Sequence, residues 1–242
     1  DCLGGQREWE TDMQQLGESI WVHEDAMSLG PTRLRLRMTV VKLDGGDLWV
    51  HSPTALTTGL KEQLQGIGSI KAIVGPNNAH NIWLSEWHTA FPDAELYISS
   101  GIPKKINLAH YQLLDRSWQN IWQEDLDHEC TIGVPFFDES VFLHRKTASL
   151  IVTDLIQNHS DARPSGLAGL LTRFILEPIG FKRKCLAPPL KLGFMIKDKP
   201  QFKSFIEKLR TWEFVRIVVT HIDIIETDAK EIFLELTERL LR

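Results

Sequence analysis

The chain has 242 residues, 43% of them apolar, and a formal net charge of −5. That length suits one large α/β domain with a sizeable core, and the acidic balance argues against a dedicated nucleic-acid binder. Cys2, Cys130 and Cys185 form no Cys-x-x-Cys pair, which excludes a disulfide framework and a zinc finger, and no apolar run approaches the roughly 18 residues of a membrane helix.

Residues 1–20 are polar and predict a loose lead-in. Ser19–His23 alternates as an edge strand would, and residues 34–43 alternate apolar with basic side chains, the pattern of a half-buried strand. Asp44-Gly45-Gly46 supplies a hairpin turn, from which Leu48–His51 returns. Ser52-Pro53 breaks that strand, and Thr57 or Thr58 can cap a helix over residues 59–66. Ile70–Val74 reads as a buried strand and Gly75–Asn78 as a loop. Residues 80–90 predict a helix, with Trp83 and Trp87 at helical spacing as core or pocket wall. Phe91–Ile98 is a loop leading into a strand, and Trp118 and Trp122 suggest a helix or turn. Residues 139–144 and Ser149–Asp154 read as a hairpin. Residues 158–210 look inserted, with an apolar stretch at helical spacing over Leu167–Ile179 and an amphipathic helix over Pro200–Arg210. Lys182-Arg183-Lys184, Lys191, Lys197, Lys199, Lys203, Lys208 and Arg210 make this insert basic in an acidic chain. Arg216–His221 is the last buried strand, and Asp228–Arg242 a closing helix.

Four of these strands deliver a histidine or an aspartate at or just past their C-terminal ends: His51, His80, Asp154 and His221. Ligand sites in open α/β sheets lie at those ends, so the four are expected to converge. Strands then helix, given twice, is the order of an α/β protein built as a four-layer αβ/βα sandwich, here a single domain with a helical, basic insert.

Arg37–Leu43, Leu48–Pro53, Val74–Asn81 and Phe142–Leu155 carry a resemblance to the metallo-β-lactamase fold superfamily. More narrowly, the chain is similar to a domain family of unknown function within it, over roughly residues 16–240. In that superfamily the strand matching Ile70–Val74 is followed by His-x-His-x-Asp-His. Here Pro76 and Asn78 stand where the first two histidines would be, and His80 and Asn81 where the Asp and last His would be. The superfamily's later Gly-Asp matches Thr153-Asp154, and its C-terminal histidine matches His221. The resemblance therefore implies one altered metal position held by His80, Asp154 and His221, with His80 and Asp154 in the catalytic role and water or Asn81 completing it. Asn78 is a poor substitute for imidazole on a transition metal. His51 falls where the fold keeps a supporting carboxylate beside the pocket.

The expected hairpin places Asp154 opposite residues 137–139, so Asp138 or Glu139 lies beside it, while His144 is carried about 16 Å away to the turn end. His88, His110, His128 and His159 read as ordinary. Imidazoles with a carboxylate suit Zn²⁺, Fe²⁺ or Mn²⁺. The first expectation is a metal-dependent hydrolase of a small ester or lactone. The second is a non-catalytic member that has lost metal and binds a ligand or partner, and the third is an iron-dependent redox enzyme. The basic insert is either a solvated face or a lid over an anionic substrate. Asn158-His159-Ser160 is a glycosylation sequon only in a secreted chain. The sequence opens on Asp1, which is compatible with a targeting segment removed upstream, and a soluble, cytoplasmic protein is the expectation.

Overall fold

The computed structural model describes residues 12–29, 32–115, 121–134, 137–158, 184–187 and 196–241. The chain forms β1 (Gln14–Gly17), β2 (Ile20–Leu29), β3 (Thr32–Lys42), β4 (Leu48–His51), α1 (Thr58–Ile67), β5 (Ile70–Gly75), α2 (Leu84–Ala90), β6 (Glu95–Ile98) and β7 (Gln112–Leu113). It continues through β8 (Leu126–Cys130), β9 (Ser140–His144), β10 (Ser149–Val152), β11 (Ile156–Asn158), β12 (Lys184–Leu186), α3 (Lys199–Arg210), β13 (Arg216–Val219) and α4 (Ala229–Leu241). The first seven strands make one sheet in chain order, and a second sheet runs β13-β10-β9-β8.

Side-chain alternation along the strands builds four layers. Trp49, Val74, Phe142, Ile151 and Val218 point between the sheets, into one core. Leu48, Val50 and Ile73 point the other way, against Leu60 and Leu64 of α1 and Leu84 and Trp87 of α2. Leu150, Val152, Ile217 and Val219 meet Phe202, Phe205, Ile206 and Leu209 of α3 and Phe233 of α4 on the far side. The order is helix, sheet, sheet, helix, the expected αβ/βα sandwich.

Local expectations fared unevenly. Thr57 is the cap of α1, accepting a hydrogen bond from the Leu60 backbone N–H. Gly46 closes the β3–β4 turn at φ +91°, where glycine is nearly cost-free. The strand predicted at an edge is interior instead, because residues 14–17 fold back onto β2 as β1. The helix predicted from residue 80 begins at Leu84, because Asn77 Oδ1 accepts from the Ala79 and His80 N–H groups and holds that segment as a turn. Strand β8 escaped the sequence reading altogether. Of the predicted insert, residues 159–183 and 188–195, with the apolar Leu167–Ile179, lie outside the described residues, as do Trp118 and His159. Its last portion is α3, part of the outer layer, with Lys203 and Lys208 exposed. Among the described residues no helix is long and apolar enough to cross a membrane.

Candidate metal centre

Parallel pairing of β4 with β5 and of β10 with β13 brings four C-terminal strand ends to one rim of the sandwich. His80 leaves the loop after β5, Asp154 the bend after β10, and His221 the turn after β13. Their ligand atoms lie within 4.8 Å of one another, forming a His-His-Asp group. His221 Nε2 is 3.3 Å from Asp154 Oδ1, and His80 Nε2 is 3.5 Å from Oδ2. The two imidazole centroids stand 5.3 Å apart.

The second nitrogen of each ring is committed. His221 Nδ1 lies 3.0 Å from the Arg35 carbonyl, which can only accept, so Nδ1 carries the proton. His80 Nδ1 is 2.7 Å from the Ser52 hydroxyl. In neutral His221 the bare Nε2 therefore faces a carboxylate oxygen, two electron-rich atoms with nothing between them. That contact is repulsive unless a proton or a cation bridges it. Burial opposes the charge on Asp154, but hydrogen bonds from His221 and then His80 outweigh it and hold the carboxyl below its usual range. Burial likewise opposes a charged His221, yet its bond to Asp154 leaves the imidazole above its ordinary value.

Asn77, which the sequence reading passed over, ties the group together. Its amide donates to Asp154 Oδ2 at 2.9 Å and to Thr153 Oγ1 at 2.7 Å, while its carbonyl holds the His80 backbone. Glu139, directly across the hairpin, accepts from the Thr153, Asp154 and Leu155 N–H groups at 2.6 to 3.0 Å. Burial first and the Asp154 charge second push its carboxyl up to about 8. The His221 turn is clamped from the other sheet. Arg37, 3% exposed, donates to the Val219 and Ile222 carbonyls at 2.5 Å each and pairs with Glu24. The clamp spans a strained residue, since Ile222 has φ +68°, an outlier for a β-branched side chain.

The remaining expected site residues serve the loops. Asp138 accepts from the Asn78 and Gly101 N–H groups, at 3.1 and 2.6 Å. Asn78 uses its carbonyl oxygen to accept from Asn81 Nδ2 and Lys105 Nζ, both at 2.7 Å. His51 lies outside the three-residue group: its ring is fully buried, stacks on Trp49, and finds no hydrogen-bond partner for either nitrogen among the described residues. Burial, with the His80 charge adding, drives it down to about 3. His144 pairs with Ser149 across the hairpin and bonds Thr147 and Ser19, away from the group. His128 stacks on Phe142 and lies 3.4 Å from Cys130 Sγ.

This sandwich is the fold of the metallo-β-lactamases. The metallo-β-lactamase from Pontibacter korlensis superposes with a TM-score of 0.61 at 10% identity, covering 94% of this chain and 98% of its own. That from Hirschia baltica gives 0.62 at 12% identity, over 96% and 97%. A metallo-β-lactamase from Pseudomonas aeruginosa, described in its mono-zinc form, gives 0.61 at 13% identity, over 94% and 95%. The model of the family described as Domain of unknown function (DUF4336) matches residues 17–170, more than half of the chain, and the protein belongs to that family. No curated protein matches the sequence.

Proposed function

We propose that the protein is a metal-dependent hydrolase of small esters or lactones, with one divalent metal ion at His80, Asp154 and His221. The observation that carries this reading is the meeting of His80, Asp154 and His221, with their ligand atoms within 4.8 Å of one another and His221 Nδ1 engaged from behind by the Arg35 carbonyl. A backbone carbonyl behind a ligating imidazole is the usual support of a metal-bound histidine. Two imidazoles and one carboxylate fit Zn²⁺, Fe²⁺ or Mn²⁺ and leave a coordination position open. Such an ion supplies an acidified water and polarises the carbonyl under attack.

The chain's own residues hold the geometry. Ser52 orients His80, Arg35 orients His221, and Asn77 orients Asp154. The net reaction adds water across the acyl C–O bond, giving an acid and an alcohol, and needs no redox partner. The mono-zinc form of the P. aeruginosa protein is compatible with a single occupied position in this fold. A second reading rests on the same pairs: protonated His80 and His221 satisfy Asp154 without metal, as in a non-catalytic ligand-binding member.

The experiment compares ester hydrolysis by the metal-loaded protein, the chelated protein and Asp154→Asn. The hydrolase reading expects activity that is restored by adding metal and absent in the variant. Activity that survives both chelation and Asp154→Asn would overturn it.

A further inference from the structure

Strand β11 follows the Asp154 bend and ends at Asn158, which bridges Ile222 in the turn that carries His221. Asn158 brackets the next residue of that turn from both sides. Its side-chain amide donates to the Asp223 carbonyl at 2.8 Å, and its own carbonyl accepts from the Asp223 N–H at 3.3 Å. Asn158 is only 8% exposed, so these bonds are not readily exchanged for water. Between His221 and Asp223 stands Ile222, at φ +68°. A β-branched residue keeps such a conformation only where its surroundings over-determine it. Arg37 holds the Ile222 carbonyl from the facing sheet, and Asn158 holds the residue that follows. Asp223 also pairs at 3.4 Å with Arg35, whose carbonyl supports His221 Nδ1.

We propose that Asn158 is a positioning residue for His221. One short segment then supplies the shared carboxylate, Asp154, and holds the imidazole that meets it. Without the two Asn158 bonds the turn relaxes toward an ordinary backbone at Ile222, and His221 Nε2 leaves its place 3.3 Å from Asp154. Nδ2 is also the atom through which the sequon Asn158-His159-Ser160 would carry a glycan. It is taken as the donor to Asp223, so Asn158 belongs to the frame of the site and is no glycan acceptor. The inference rests on the metal reading of the His-His-Asp group.

The test compares the full chain with Asn158→Ala, Asn158→Asp and Leu209→Ala. The last truncates the core beneath α3 and serves as the control for lost stability. Each protein is titrated with zinc and, separately, loaded with Co²⁺, whose visible absorption reports the ligands around it. Asn158→Asp keeps the size of the side chain but sets a carboxylate oxygen against the Asp223 carbonyl. Both Asn158 variants should bind zinc roughly 10–100-fold more weakly, the usual effect of losing an outer support. Their cobalt spectra should differ from that of the parent, because the imidazole of His221 no longer meets the metal as before. Leu209→Ala should lower the melting temperature and leave zinc affinity and cobalt spectrum as they were. Zinc affinity and cobalt spectrum both unchanged in the Asn158 variants, or disturbed as much in Leu209→Ala, would overturn this inference alone. If the parent protein binds neither zinc nor cobalt, the metal reading falls and takes this one with it.

Discussion

Asn77 shows how one side chain sets the geometry of two members of the His-His-Asp group. All of its side-chain polar capacity is engaged, with Thr153, Asp154, Ala79 and His80. Asn77→Ala strands those partners in a buried place, at a cost on the order of 2 kcal/mol of stability. It should also weaken metal binding by roughly 10–100-fold, the usual effect of losing an outer support. Thermal unfolding and metal titration of this variant check both halves, and unchanged affinity would remove Asn77 from the site.

Two other histidines predict an acid weakness. Burial, followed by the His80 charge, lowers His51 to about 3. Burial, followed by the Lys146 charge, lowers His144 to about 4. The unfolded chain protonates both near 6.5. Their contribution is therefore complete above about pH 6.5 and drains away as pH falls through the folded values. Glu139 and His221, both raised, pull the other way over the same range, so His144 is read by difference: between about pH 7.5 and about pH 5 the metal-free protein should lose more melting temperature, or gain less, than His144→Gln does. A pH dependence equal in the protein and the variant would contradict the assignment of His144 as buried and neutral.

At the level of elements, the hairpin β9–β10 and the clamp on β13 do the positioning. The register Ser149↔His144 extends to place Glu139 across from Asp154, which is why its carboxylate caps three successive N–H groups there. Counting along two apolar runs was enough to predict this, because a short antiparallel turn fixes register. The clamp was not legible. Arg37 sits in an alternating basic strand, where a solvated side chain is the ordinary outcome, and only the folded chain reveals carbonyls within its reach. Asn77 was equally hidden, since one asparagine in Pro76-Asn77-Asn78-Ala79 looks like another until the turn closes. Strand β8 reads Leu-Asp-His-Glu-Cys, whose polar residues mask a strand lying at the edge of its sheet. Arg37→Met should lower both stability and metal affinity, the latter by about tenfold. Adding Glu24→Gln, which takes away the carboxylate that Arg35 also pairs with at 2.7 Å, should restore neither. Recovery of both would mean that Arg37 acts through the ion pair and not through the His221 turn.

On the scale of the whole molecule, the sandwich brings distant parts of the chain to one rim, so His80 and His221, 141 positions apart in sequence, share a carboxylate. The four strand ends announced that convergence in the sequence, because each apolar run stops on a side chain that is costly to bury alone. His51 shared the signal, yet it turns into the inter-sheet core beside Trp49 and Phe142. Strand-end placement fixes the rim, and the alternation of side chains decides which residues face it. The central claim is a single metal position, and metal content per chain tests it most directly. Protein supplemented with zinc, iron or manganese and then freed of excess should hold one equivalent, and His80→Ala and His221→Ala, folded by circular dichroism, should hold none. Two tightly held equivalents, no metal after supplementation, or full metal content in either variant would contradict the account.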